Sequence, residues 1–427
     1  MRTRHRRADW TSRRAMTRLG QLMTMFGTSA AQFACNAGAA LIATRVLGPD
    51  ERGIMVLGVT IGSLCALIGG FGIGSAFRRQ LCLPDSDRPA LVSAFARCSA
   101  VGALSAALLG VASTAASAPI IDSALARPLF LLAVGCYTAS QMVVGQIVDA
   151  WFADGLLRRG GVAAAVTSAG GLAGVLLASG AGSAASLLLA QAGGVGVVVV
   201  AETAALRRGG LLNWSPISGG AISGLLRLGA PTLGLSMGLV VVLRADRYAI
   251  GLTAGTAAVG VYSLAATLGE IPRMLSAALG QMCLRDISMG RGAPNLVRTT
   301  LLAVATTAAA GLLVVFAAWL LVVPLFGQAF GDARELLVIL VAAEVCFAPF
   351  VVASRGLIGG GWTTAAGVLG AAGAAGAIGV YGVTGSLGGA VGVAVGSAVL
   401  YAGLSTVAWT LLRKRVSVSG LEQLRGR

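Results

Sequence analysis

The sequence predicts an all-α integral membrane protein, with twelve spans arranged as two pseudo-symmetric six-helix bundles. Three observations predict it. Apolar runs of about 20 residues, long enough to cross a bilayer core as helices, follow one another along nearly the whole chain. Charged residues make up 11% of the sequence and mean hydropathy is +0.85, whereas a soluble domain carries about a quarter charged residues. The arginines gather in every second gap between the runs. Backbone facing lipid must satisfy its own hydrogen bonds, so a span is a helix or part of a closed barrel. The runs lack the in–out alternation of barrel strands, which leaves helices.

The spans follow in order. Span one (22–44) begins after the basic tail of Arg2, Arg4, Arg6, Arg7, Arg13, Arg14 and Arg18, and ends at Arg45. Span two (53–76) follows the Gly48-Pro49 turn and runs into Gly70–Gly74, ahead of Arg78 and Arg79. Span three (90–117) follows Arg88-Pro89, and span four (128–148) opens on Pro128; proline is favoured in the first helical turn. Span five (161–181) follows Arg158-Arg159, and a short Gly/Ser break near Gly182 parts it from span six (184–206). Span seven (226–250) ends past Arg244–Arg247, and span eight (257–283) carries Glu270-Ile271-Pro272-Arg273 near its middle. Span nine (299–323) follows Arg298, and span ten (335–354) lies between Arg334 and Arg355. Span eleven (363–382) follows a glycine run, and span twelve (388–411) ends before Arg413-Lys414-Arg415.

Charge gives the orientation. The arginine-poor side holds Arg45, Arg52, Arg127, Arg244, Arg247 and Arg334, and Arg273 falls inside a span; the remaining arginines and Lys414 lie on the other side. Cytoplasmic loops carry the Lys/Arg excess, so both termini are expected in the cytoplasm of a bacterial inner (plasma) membrane. Trp10, Trp151, Trp214, Trp362 and Trp409 are expected at that same boundary. The basic start reads as a tail rather than a cleaved signal, because the run behind it is span-length. The net charge of +16 is read as topology and contact with anionic lipid. No nucleic-acid partner is expected, since no basic domain stands outside the spans.

Several chemistries are excluded. The only lysine, Lys414, has no Gly-rich loop before it, so there is no P-loop. The only histidine, His5, lies in the charged tail, which removes Ser-His-Asp catalysis and His-based metal sites. The seven cysteines are scattered, with no C-x-x-C pair, and read as small hydrophobes. No enzyme activity, cofactor or metal is expected.

The chain repeats itself. A shift of 207 residues brings Gly27 onto Gly234, Gly48 onto Gly255, Gly53 onto Gly260, Gly62 onto Gly269 and Arg78 onto Arg285. An even number of spans separates the copies, so they share orientation, an arrangement transporters use with the site between the halves. The expected division is residues 1–206 with the basic tail, a cytoplasmic linker at 207–225, and residues 226–427.

The segment Arg45-Val46-Leu47-Gly48-Pro49-Asp50-Glu51-Arg52-Gly53, then Gly70-Phe71-Gly72-Ile73-Gly74-Ser75-Ala76 at the end of span two, resembles the opening of the Wzx-type oligosaccharide flippases of the MOP (MATE-like) superfamily. Ala230-Pro231, Asp246-Arg247-Tyr248, Ala258-Val259-Gly260-Val261-Tyr262-Ser263 and Pro324–Phe330 are similar to later segments of that family. Gly70 and Phe71 stand where that family often places an acid, and span one lacks the Arg-Asp pair usual in lipid II flippases. The resemblance implies two bundles in a V around a central cavity, working by alternating access. It implies outward movement of a polyprenyl-pyrophosphate-linked oligosaccharide for cell-surface polysaccharide. Glycosyltransferases and a polymerase of the same pathway, with membrane lipids, are the partners it implies.

Ionisable groups at bilayer depth are costly and mark candidate sites. Glu270 and Arg273, at i and i+3, are expected to share a helix face and pair, with Pro272 as a hinge. The pair either grips a pyrophosphate or is a structural ion pair. Arg244, Asp246 and Arg247 form a second candidate cluster, in which Arg247 can instead snorkel to headgroups. Arg45 is a binding candidate or an anchor. Glu344 is a coupling-ion candidate or a partner for an arginine. Asn36 and Gln281, with Gln32, Gln141, Gln146 and Gln191, can bond sugar hydroxyls or neighbouring helices. Asp149 and Glu202 read as interfacial. The expected function is a lipid-linked oligosaccharide flippase; the alternatives are a cation-coupled multidrug or metabolite antiporter of the same fold and a membrane-embedded polymerase or ligase.

Overall fold

Prolines and acids open many of the helices. The computed structural model describes Thr24, residues 27–81, Leu83, 87–214, 219–289 and 296–425. The basic tail with His5 and Trp10, the start of span one, Cys82, Pro216, Arg291 and Arg427 lie outside the described residues. The helices are α1 (27–46), α2 (Pro49–Gly70), α3 (Ile73–Leu81), α4 (Arg88–Ser117), α5 (Pro128–Ala153), α6 (Leu157–Leu177) and α7 (Ala184–Arg208). They continue with α8 (Gly219–Gly269), α9 (Arg273–Ser288), α10 (Leu296–Phe326), α11 (Ala333–Gly359) and α12 (Thr363–Arg425). Proline stands in the first turn of α2, α4 and α5. Asp87 and Ser183 accept from the backbone N–H groups of Ala90 and Ser186 at the starts of α4 and α7.

Among the described residues the helices make twelve limbs. Nine stretches among the described residues are long and apolar enough to cross a membrane. Two of these hold two limbs each, and α1 precedes them all. α8 turns back at Gly255, whose φ of 81° is open to glycine. α12 turns back at Gly388 and Gly389. Its limbs lie antiparallel: Gly376 meets Leu400, Gly396 meets Thr384 and Gly392 lies on the Thr384 carbonyl.

Two expectations about span ends change. Span two starts at Pro49 rather than residue 53, because Asp50 and Glu51 sit favourably in the first turn against the helix dipole. It also runs on through a break at Phe71 and Gly72 into α3, so Arg78 belongs to a helix rather than a loop. Trp151, in the last turn of α5, is buried, with Nε1 donating to Glu202 at 2.9 Å and Arg159 stacked 3.8 Å over its ring.

The repeat appears in the helix starts. Pro49, Arg88, Pro128, Leu157 and Ala184 in the first half correspond, within two residues of the 207 shift, to starts after Gly255, at Leu296, Ala333 and Thr363, and after Gly389. The halves touch reciprocally. A Cβ on Gly53 would strike the Thr256 carbonyl, and one on Gly260, its repeat mate, would strike the Pro49 carbonyl. Around this contact, at the arginine-poor end, the Thr256 hydroxyl lies 3.2 Å from Asp50 and 3.4 Å from Asp122, and Ser117 bonds Tyr248 at 2.9 Å. At the arginine-rich end the start of α8 packs Leu225 into a cluster with Ile73, Phe77, Phe95 and Trp151.

Candidate functional site: a cationic cavity and a buried charge network

A cavity of about 520 Å³ lies between the halves, walled by α2, α3, α5 and the first limb of α8. Its charged lining is Arg78, Asp149 and Arg244; Ser63, Ser75, Gln141, Gln146 and Ser236 add neutral polar groups. The break at Phe71–Gly72 re-aims α3 and brings Arg78 to this wall. Glycine at 74 makes room there, since a Cβ would strike the Asp149 carboxylate. Arg78 lies 3.2 Å from Asp149. Gln146 is buried and its Oε1 has no hydrogen-bond partner, so it presents an unused acceptor at the wall.

Arg244 links the cavity to the ionic network behind it. It lies 3.5 Å from Glu270, which also accepts from Arg247 at 2.9 Å. Asp246 accepts from the Tyr262 hydroxyl and the Arg247 N–H, both at 2.8 Å. Arg273 grips Glu344 through Nε at 2.8 Å and through a second guanidinium nitrogen. Phe347, stacked with Phe350 and close to Tyr401, covers that pair. Three arginines and three acids balance. Buried ions need such pairing, because desolvation of a lone charge costs several kcal/mol in a protein interior, order of magnitude.

The expected Glu270–Arg273 pair does not form. The helix is interrupted between Gly269 and Pro272, so the i, i+3 rule for a continuous helix does not apply. Glu270 turns to the first limb of α8, and Arg273, opening α9, turns to α11. Nor does Arg247 snorkel: it is buried and bonded to Glu270. Glu344 is an arginine's partner, one of its two expected roles. Asn36 and Arg45 on α1, and Gln281 on α9, are exposed and not among the cavity-lining residues. The sequence reading missed Arg78 and Asp149. The Arg78–Arg285 repeat match and the glycines at 70, 72 and 74 were the signals for them.

Known structures share the architecture. The lipid II flippase MurJ in an inward closed conformation matches with a TM-score of 0.76 at 11% identity, covering 92% of this chain and 87% of that one. An inward-facing multidrug resistance MATE family transporter of the MOP superfamily matches at 0.68 and 16% identity, covering 91% and 95%. A MOP superfamily transporter from Pyrococcus furiosus matches at 0.54 and 17% identity, covering 93% and 94%. At these identities the likeness shows the fold alone, the one these three structures share. No curated protein sequence matches the chain. The sequence profile of one family spans residues 42–334, from the end of α1 to the start of α11, and by it the chain belongs to the polysaccharide biosynthesis protein family.

Proposed function

We propose that the chain is a flippase that carries a polyprenyl-pyrophosphate-linked oligosaccharide from the cytoplasmic to the outer leaflet. The observation that carries this reading is the cavity lining: two arginines against one carboxylate, with amides and hydroxyls between them. Guanidinium groups grip phosphate oxygens bidentately, and amides and hydroxyls suit sugar. Residues 1–206 and 226–427 are the moving bodies, 207–225 is the cytoplasmic linker, and the break at Pro272 is a hinge. The arginine-rich end faces the cytoplasm. The polyprenyl tail stays outside the cavity. An apolar groove of about 600 Å³, lined by Ile68, Phe71, Val101, Leu109, Ile222 and Leu226, suits it. Phe71 and Ile73 line that groove while Gly70, Gly72 and Gly74 line the cavity, so the end of α2 and the α2–α3 break part tail from headgroup.

Deletion of the gene tests this. Lipid-linked oligosaccharide is expected to accumulate on the cytoplasmic leaflet, and purified protein in liposomes is expected to expose such a lipid to an outside probe without ATP. Unchanged lipid-linked sugar together with new sensitivity to cationic drugs would replace the reading with the antiporter.

A further inference from the structure

Arg52 lies in the first turn of α2 and is buried, with 5% of its surface accessible. Its Nε has no hydrogen-bond partner. One other guanidinium nitrogen reaches only the Met55 sulfur, at 3.9 Å, a weak acceptor. No described carboxylate pairs with it. Its sequence neighbours are engaged elsewhere: Asp50 with Thr256, and Glu51 with Arg127 at 3.3 Å and the Ala184 N–H at 2.7 Å. Every arginine of the network behind the cavity has an acid; this one does not. A buried charge without a partner is unfavourable for the fold, so packing does not explain it.

Its position does. At about 3.6 residues per turn, Arg52 stands on the same stripe of α2 as Ser63, about three turns on, and Gly70, about five turns on. Ser63 and Gly70 both line the cavity. Arg52 lies about 16 Å further along that stripe than Ser63, at the arginine-poor end. Beside it, Gly53 and Pro49 form the reciprocal contact between the halves. Parting of that contact would open a way along α2 from the cavity towards Arg52.

We propose that Arg52 is a second anion station on the translocation path. It is occluded while the arginine-poor end is shut, and it binds the diphosphate once the halves part there. Arg78, Arg244 and Arg52 then form an ascending series along which the headgroup is passed. The unpaired guanidinium favours the parted state, in which an anion or water satisfies it. The station rests on the flippase reading for its natural ligand, but not for its chemistry.

The test uses the full chain in vesicles with the arginine-poor end outside, and inorganic pyrophosphate as the probe. Val56, buried one turn beyond Arg52, is replaced (Val56→Cys), and an impermeant maleimide is added outside. Modification at position 56 is read by peptide mapping against the unsubstituted chain. Slow labelling is expected as the end opens, and millimolar pyrophosphate is expected to slow it about tenfold, the effect of a charge-assisted hydrogen bond. Adding Arg52→Gln should abolish the protection, and Arg52→Lys should keep part of it. Equal protection with Arg52→Gln, no protection with Arg52 present, or no labelling at all would each overturn the station. If protection depends on Arg52 while the deletion strain shows unchanged lipid-linked sugar, the flippase reading falls and the anion station stands.

Discussion

Glu270 holds two arginines at once, and only one of them, Arg244, lines the cavity. On the flippase reading an arriving phosphate takes Arg244 while Arg247 keeps Glu270 neutralised, so that ligand binding would strand no buried acid. Arg244→Gln removes a charge-assisted contact of about 1.5–3 kcal/mol, and transport is expected to fall by about tenfold to a hundredfold. Initial rates in liposomes check it; a wild-type rate would remove Arg244 from the site. Arg273 and Glu344 make a different prediction. Glu344→Ala leaves a buried arginine uncompensated and should lower stability by about 3–5 kcal/mol. Adding Arg273→Leu should restore part of it, because the uncompensated charge is removed although a cavity remains. Thermal unfolding in detergent decides: no rescue by the double variant means the pair does more than neutralise itself.

At the scale of elements, glycine controls the breaks and the close approaches. α2 meets the second limb of α8 through Gly53 and Gly260, each against a carbonyl of the other half. If the halves part at this end during transport, a bond across the contact must stop the cycle. Asp50→Cys with Thr256→Cys replaces side chains whose oxygens lie 3.2 Å apart. Oxidation is expected to block transport and a reductant to restore it. Transport that continues in the oxidised protein would show that this end stays shut throughout. The break at Phe71 is a strained element: φ is 45° at a residue with a side chain. Phe71→Gly is expected to stabilise the break by about 1 kcal/mol, read as a higher melting temperature.

For the whole molecule, the arginine loops carry the expected orientation. The ends of α3, α7 and α9 and the start of α6 carry Arg78, Arg79, Arg207, Arg208, Arg285, Arg158 and Arg159 at one end. Reporters fused after Arg18 and Lys414 are expected to report cytoplasm, and one after Ile120 the outer side. The reverse result at the first or last site would invert the transport direction proposed above.

The sequence by itself determined the class, the number of crossings and their pairing into a repeat. Those follow from local composition: hydrocarbon requires apolar length, and helices need caps and prolines at their starts. Gly48 and Gly255, 207 residues apart, mark equivalent corners. The embedded charges were legible as a set, because an ionisable residue in an apolar run stands out. Their partners were not legible. The partners depend on a break in the helix and on which limb packs across it: Glu270 meets Arg247, 23 residues away, and Arg273 meets Glu344, 71 residues away. Arg78 read as a loop charge and Asp149 as interfacial until the Phe71–Gly72 break turned α3 towards the cavity. Burial, too, belonged to tertiary structure alone: Arg52 reads as one charge in a loop motif, and only the packing of the two halves against α2 leaves it enclosed without a partner.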